Sequence, residues 1–148
     1  MDAPDFIDTN IFVYAYDAAS PNKQRIAQDI IRKAISGQAV TSSQALAELA
    51  TTLLHKITPS ASAAEVAAVL DALGPIRLVE TDGDTVRRAV EAHGQYGIHF
   101  YDGMIVAAAE RAGCERILSD DLNAGQSYFG IRVENPFHAP SDKTSPKA

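Results

Sequence analysis

A chain of 148 residues, 46% of them hydrophobic, is the size of one globular domain and carries enough apolar side chains to build a core. Its formal charge of −6 excludes nucleic-acid binding that rests on an excess of Lys and Arg, so a polyanionic ligand would need positive charge from another source. The single cysteine, Cys114, excludes an internal disulfide and a cysteine-based zinc cluster, which fits a reducing compartment such as the cytoplasm; no apolar run spans a bilayer, and the acidic start Met1-Asp2-Ala3-Pro4-Asp5 is unlike a secretory signal.

Phe6-Ile7 is a short apolar run that stops at Asp8-Thr9-Asn10, which predicts a strand ending at Asp8 and a short helix after it. From Asn22 to Ser36 the positions Ile26, Ala27, Ile30, Ile31, Ala34 and Ile35 recur at helical spacing, with Gly37 as the stop. Ala39-Val40-Thr41 reads as a second strand. Ser42 or Ser43 then caps a helix to about Lys56 with the stripe Leu46, Leu49, Leu53 and Ile57. Ser62-Ala63-Ala64-Glu65 has capping-box form ahead of a helix with Val66, Val69, Leu70 and Leu73, broken at Gly74-Pro75. Ile76 to Val79 is a third strand, and Thr81 to Asp84 cap a helix carrying Val86, Ala89 and Val90 that ends between Gly94 and Gly97. Asp102 opens the apolar segment Met104 to Ala109, closed by Gly113, whose composition predicts a helix buried on most sides. Ile117-Leu118 is a strand running into Ser119-Asp120-Asp121, and Ile131-Arg132-Val133 is the last strand. Strands alternating with helices predict an α/β fold, a single three-layer α/β/α domain over residues 1–137 with a mostly parallel central sheet, followed by a loose polar tail from 138 to 148.

Two of these strands end in carboxylates, Asp8 and the Asp120/Asp121 pair, and in open α/β sheets the ligand crevice lies beyond the carboxyl ends of the strands. A single Asp after a strand is ordinarily a turn former or helix cap; two such strand ends are harder to dismiss. Glu48 shares a helix face with Gln44, Thr51 and His55, opposite the leucine stripe, among mostly uncharged neighbours where a solvent face would carry more Lys and Glu. Asp102 stands at the start of the apolar helix, where N-capping is the alternative role. If these acids converge they require a counter-charge, because two carboxylates about 6 Å apart repel by about 3 kcal/mol at an effective dielectric of 20. All-oxygen ligation selects a hard cation, Mg²⁺ or Mn²⁺, which attracts a phosphodiester and activates a bound water.

Phe6-Ile7-Asp8-Thr9-Asn10, the internal Glu48, Tyr101-Asp102 opening an Ala-rich helix and Ile117-Leu118-Ser119-Asp120-Asp121-Leu122, taken in order, resemble the PIN-domain ribonucleases. Within them the chain looks most like the VapC-type toxins of bacterial toxin-antitoxin pairs, over about Asp5 to Phe137. The resemblance implies a Mg²⁺- or Mn²⁺-dependent endoribonuclease with Asp8, Glu48 and Asp102 as metal-site acids. It assigns the fourth acid to Asp121, in preference to Asp120, because the family writes Thr-x-Asp where this chain has Ser119-Asp120-Asp121. It further implies that Asn10 supports the site by hydrogen bonding, that Ser43 orients a metal water or phosphate, and that the partners are an RNA substrate, a cognate antitoxin and a second copy of the chain. Two positions depart from the family: Gly103 stands where Ala is frequent, and Asn123 where some members carry another acid.

Rival readings lack their defining residues. A phosphatase of the haloacid dehalogenase type needs an acid two residues after the first strand-end Asp, where this chain has Asn10; a phospho-receiver domain needs an Asp after a central strand, where the third strand ends in Glu80-Thr81. Serine-hydrolase and phosphate-loop motifs are absent, and His55, His93, His99 and His138 lack zinc spacing. Lys23, Arg25, Lys56, Arg87, Arg88 and Arg111 read as scattered surface charge. A housekeeping PIN nuclease and a non-enzymatic α/β signalling or binding module are the alternative functions.

Overall fold

Phe6 and Ile7 are both fully buried, one on each face of β1 (Asp5–Ile7), so this two-residue apolar run lies at the centre of the sheet. The computed structural model describes residues 3–138, and the tail expected from 138 to 148 lies, apart from His138, outside the described residues. The other strands are β2 (Ala39–Ser42), β3 (Arg77–Val79), β4 (Arg116–Leu118), β5 (Ser127–Tyr128) and β6 (Ile131–Glu134). They form one six-stranded sheet in the order β3-β2-β1-β4-β6-β5, parallel throughout except for the β5/β6 edge.

Among the described residues six α-helices cover the sheet on both faces, as the α/β reading requires. On the Ile7 side, α1 (Thr9–Tyr16), α2 (Pro21–Lys33), α3 (Ser43–His55) and α4 (Ala63–Leu73) contribute Ile11, Phe12, Ile31, Leu49, Leu53 and Val66 to one core. On the Phe6 side, α6 (Phe100–Arg111) lies against the sheet with α5 (Gly83–Tyr96) packed on it. Every residue of α6 from Gly103 to Ala109 is buried, as its uninterrupted apolar composition predicts. No helix among the described residues is long and apolar enough to cross a membrane.

Several elements differ in detail from the sequence reading. The second helix is regular only to Lys33 and then widens into a π-type turn, Ala34–Gln38, closed by Gly37 at φ 104°, a conformation that favours glycine. Of the two serines expected as caps, Ser42 caps α3, its hydroxyl accepting from the Ala45 amide at 3.1 Å. The strand β5, Ser127–Tyr128, has no apolar run to mark it in the sequence. In α5 the inward positions are Thr85, Ala89 and Ala92, whereas Val86 and Val90 are exposed. The cause is close approach: small residues let α5 sit directly on Gly103 of α6, which rotates the valines outward.

That contact also accounts for Gly103. A Cβ built there meets the Ala89 carbonyl oxygen at 2.7 Å, and the obstacle is backbone that cannot swing aside. Gly103→Ala is therefore expected to destabilise the fold by about 1–2 kcal/mol, overpacking outweighing the gain of up to ~1 kcal/mol in helix propensity. Urea midpoints at constant m-value check this; an unchanged or higher midpoint would mean that the two helices separate without cost.

Candidate metal centre

The strand order places β2 and β3 on one side of β1 and β4, β6 and β5 on the other. The chain thus reverses its winding direction between β1 and β4, and the crevice beyond their carboxyl ends is where an open α/β sheet binds ligands. The Asp8 amide donates to the Leu118 carbonyl at 3.1 Å and holds the two strand ends together.

Asp8 closes β1 and caps α1. Its Oδ1 accepts from the Thr9 amide at 2.7 Å, and its Oδ2 accepts from the Ser119 hydroxyl at 2.8 Å and from the Asn10 carboxamide at 3.4 Å. Ser119 is fully buried, and its oxygen in turn accepts from the amides of Asp121 and Leu122, both at 3.1 Å. The turn after β4 is thereby built around the same hydroxyl that orients Asp8.

Glu48, at mid-helix in α3, faces the same crevice. The Thr9 hydroxyl donates to its Oε1 at 3.0 Å, with the Ala45 carbonyl 3.2 Å away, and Gln44 reaches its Oε2 at 3.5 Å. Asp102 lies in the first turn of α6, whose N-cap is His99, the His99 Nδ1 accepting from the Tyr101 amide at 3.1 Å. Asp121 is exposed at the mouth. Asp8, Glu48, Asp102 and Asp121 all line a single cleft of about 860 Å³, together with Asn10.

Asp120 does not line the cleft. Its carboxylate accepts from Tyr14 Oη and from the Asn135 amide group, both at 2.7 Å, and Lys23 Nζ stands 3.6 Å away; its own amide donates to Asn10 Oδ1 at 2.8 Å. Ser43, expected to orient a metal water or phosphate, is not among the residues that line the cleft: its hydroxyl accepts from the Thr81 amide at 3.0 Å and approaches the Thr81 hydroxyl at 3.3 Å, binding α3 to the loop after β3. The structure brings Thr9, Gln44 and Ser119 to the acids instead. Thr9 and Ser119 stand beside the strand-end acids in the sequence, a signal that was present, whereas their spacing could not tell which hydroxyl turns inward.

Electrostatics follow from this packing. Burial pushes Asp8 up to about 6, with Asp121 and Glu48 adding repulsion and the hydrogen bonds from Ser119 and Thr9 opposing it. Burial also raises Asp102, with the same two acids reinforcing the shift and His99 counteracting it. Asp120 moves the other way: burial alone would raise it, but Tyr14, Asn135 and Lys23 hold it below the usual carboxylate range.

The donor set suits a hard cation. The ligand candidates are all carboxylates, and among the described residues no Cys or His lines the cleft to favour a softer ion. Among the described residues no three His, Cys, Asp or Glu side chains stand at ligand spacing by themselves. Mg²⁺ does not require that: it characteristically takes one or two carboxylates and completes its shell with water and substrate phosphate.

A PIN domain family model matches residues 6–126. No curated protein matches the chain in sequence. Solved structures do match in fold. A toxin-antitoxin complex from Klebsiella pneumoniae is 16% identical with a TM-score of 0.63, the alignment covering 88% of this chain and 96% of that one. VapBC2 from Rickettsia felis, solved on a DNA fragment from its promoter, is 18% identical at TM-score 0.63, covering 88% and 97%. The Mycobacterium tuberculosis toxin VapC20, described as cleaving the sarcin-ricin loop, is 17% identical at TM-score 0.61, covering 86% and 98%.

Proposed function

We propose, from the premise that this chain belongs to the PIN domain family of nucleases, that it is a divalent-metal-dependent endoribonuclease acting as the toxin of a toxin-antitoxin pair. The observation that carries this reading is the convergence of Asp8, Glu48, Asp102 and Asp121 on one cleft at the winding reversal between β1 and β4.

Asp8, Glu48, Asp102 and Asp121 would hold Mg²⁺ or Mn²⁺, one or two of them directly and the others through its water shell. When bound, such an ion supplies positive charge for a phosphodiester and a water acidic enough to act as nucleophile near neutral pH. The protein's own part is orientation. Ser119, Thr9 and Asn10 fix both oxygens of Asp8, and Thr9 and Gln44 fix those of Glu48, so that the acids meet an incoming phosphate without first reorganising. The net charge of −6 is reconciled with a polyanionic substrate in the same way, because the cation and not the surface attracts it.

The toxin role, a cytoplasmic site of action, a homodimeric state and an antitoxin partner rest on the resemblance to VapC-type proteins and on fold neighbours solved as toxin-antitoxin complexes. An inhibitor suited to this cleft presents Arg or Lys to the carboxylates in place of the metal.

Purified protein is expected to cut RNA with Mg²⁺ or Mn²⁺ and to stop when a chelator is added. Expressing it alone should arrest growth, and co-expressing its antitoxin should restore growth. Metal-independent cleavage would sink the metal reading. Cleavage in vitro by a chain harmless in its native host would replace the toxin with a housekeeping nuclease.

A further inference from the structure

Tyr101 is more than half exposed although it sits beside Asp102 and lines the cleft with the four acids. Its backbone is held at two points, and the helix that carries it is wedged against α5 two residues further on. The amide donates to His99 Nδ1, the carbonyl accepts from the Gln44 amide group at 3.3 Å, and the next residue along, Asp102, is followed by the tightly wedged Gly103. Its ring is stacked on that of His99, with centroids 5.8 Å apart and planes within 25°, and meets Phe100 edge-on at 5.2 Å. A rigid mounting for an outward-facing aromatic face contributes little to folding, since the ring leaves most of its surface in water.

At the other end of the cleft stands Lys56, the one Lys or Arg among the described residues that line it. Arg87, Arg88 and Arg111 are each paired with acids elsewhere. Helix α3 sets the order of these features: Gln44 touches Tyr101, Glu48 lies about 6 Å further along the axis and Lys56 about 12 Å beyond that, at 1.5 Å per residue.

Resting on the nuclease reading above, we infer that the cleft takes a single strand of unpaired RNA along α3, one base stacked on Tyr101, the scissile phosphate at the acids and a neighbouring phosphate on Lys56. A base within a duplex is already stacked on its neighbours and cannot offer its face to the ring, so this platform selects loops and unpaired segments. Stacking is also the affinity source left to a chain of charge −6, because it tolerates any base and needs no excess of cations.

The test is a binding titration of a short RNA carrying 2-aminopurine at successive positions, with Ca²⁺ in place of Mg²⁺, followed by cleavage in Mg²⁺. One 2-aminopurine position should be quenched on binding. Tyr101→Ala should remove the quenching and weaken binding about tenfold or more, with KM rising and kcat little changed, and Tyr101→Phe should restore both. Lys56→Gln should weaken all sequences alike and flatten the salt dependence by about one phosphate contact, which Tyr101→Ala should not do. The inference is overturned if Tyr101→Ala binds within twofold of the parent, if Phe does not rescue it, or if a fully paired hairpin binds and is cut as well as the open strand. Bound, Tyr101-dependent RNA that is never cut would leave the inference standing and remove the nuclease reading; metal-dependent cleavage indifferent to Tyr101 would do the reverse.

Discussion

Asp8→Asn is expected to lower RNA cleavage by about 10²–10³-fold or more while raising the melting temperature of the metal-free protein above pH 6. The two effects share one cause. Asp8 is buried against Asp121 and Glu48, and its carboxyl titrates at about 6, above its ordinary 3.8. Below about pH 4 the acid is protonated whether the chain is folded or not, and it adds no pH dependence. Between about 4 and 6 the unfolded chain releases the proton first, so folding stability falls as pH rises; above 6 the cost stays constant at about 3 kcal/mol. Asparagine keeps the size and removes the charge, so the variant should lose this pH dependence and gain up to that amount at pH 8. Saturating Mg²⁺ should raise the parent's midpoint and leave the variant's nearly unmoved. An active variant, or one whose melting profile keeps the parent's dependence on pH and Mg²⁺, would remove Asp8 from the proposed metal site.

Much of this arrangement is legible in the sequence, for physical reasons that also explain what is not. Strand ends are written in the sequence as apolar runs stopping at polar residues, so Asp8 and the Ser119-Asp120-Asp121 turn were placed by pattern alone. The helices α2 to α5 were legible because their apolar positions repeat at helical spacing, α6 because its apolar run is uninterrupted, and Ser62-Glu65 even showed its capping box. Rotation about a helix axis is harder to read. Val86 and Val90 look like a buried stripe, yet Gly103 offers α5 a closer seat through Ala89, and packing overrode hydrophobicity. Hydroxyls are harder still. Ser42, Ser43, Thr9 and Ser119 are alike in composition, and a rotation of one residue decides whether the oxygen caps a helix, binds a loop or orients a carboxylate. Tyr101 was visible only as the residue before Asp102; its exposure beside the cleft is a fact of three dimensions.

The adjacent acids after β4 should separate cleanly when each is replaced by asparagine. Asp121 is exposed at the mouth of the cleft, so Asp121→Asn should lower cleavage by about 10²-fold or more and leave the melting temperature within a degree or two. Asp120 is turned the opposite way. Its carboxylate joins Tyr14 of α1, Lys23 of α2 and Asn135 after β6, and these partners hold it ionised below the usual carboxylate range. A carboxyl group lowered in the folded state stabilises the protein above its unfolded pKa, and that contribution is lost as pH falls through the folded value. Asp120→Asn keeps one acceptor oxygen and loses the charge, so the fold should weaken by about 1–3 kcal/mol near neutral pH and lose less in acid than the parent does. Its cleavage at temperatures well below melting should fall far less than that of Asp121→Asn, since the Asn10 contact to the Asp120 backbone amide survives the substitution. Melting curves and cleavage rates on the same two preparations decide the matter: if Asp120→Asn is the inactive variant and Asp121→Asn the unstable one, the assignment of the fourth acid is reversed.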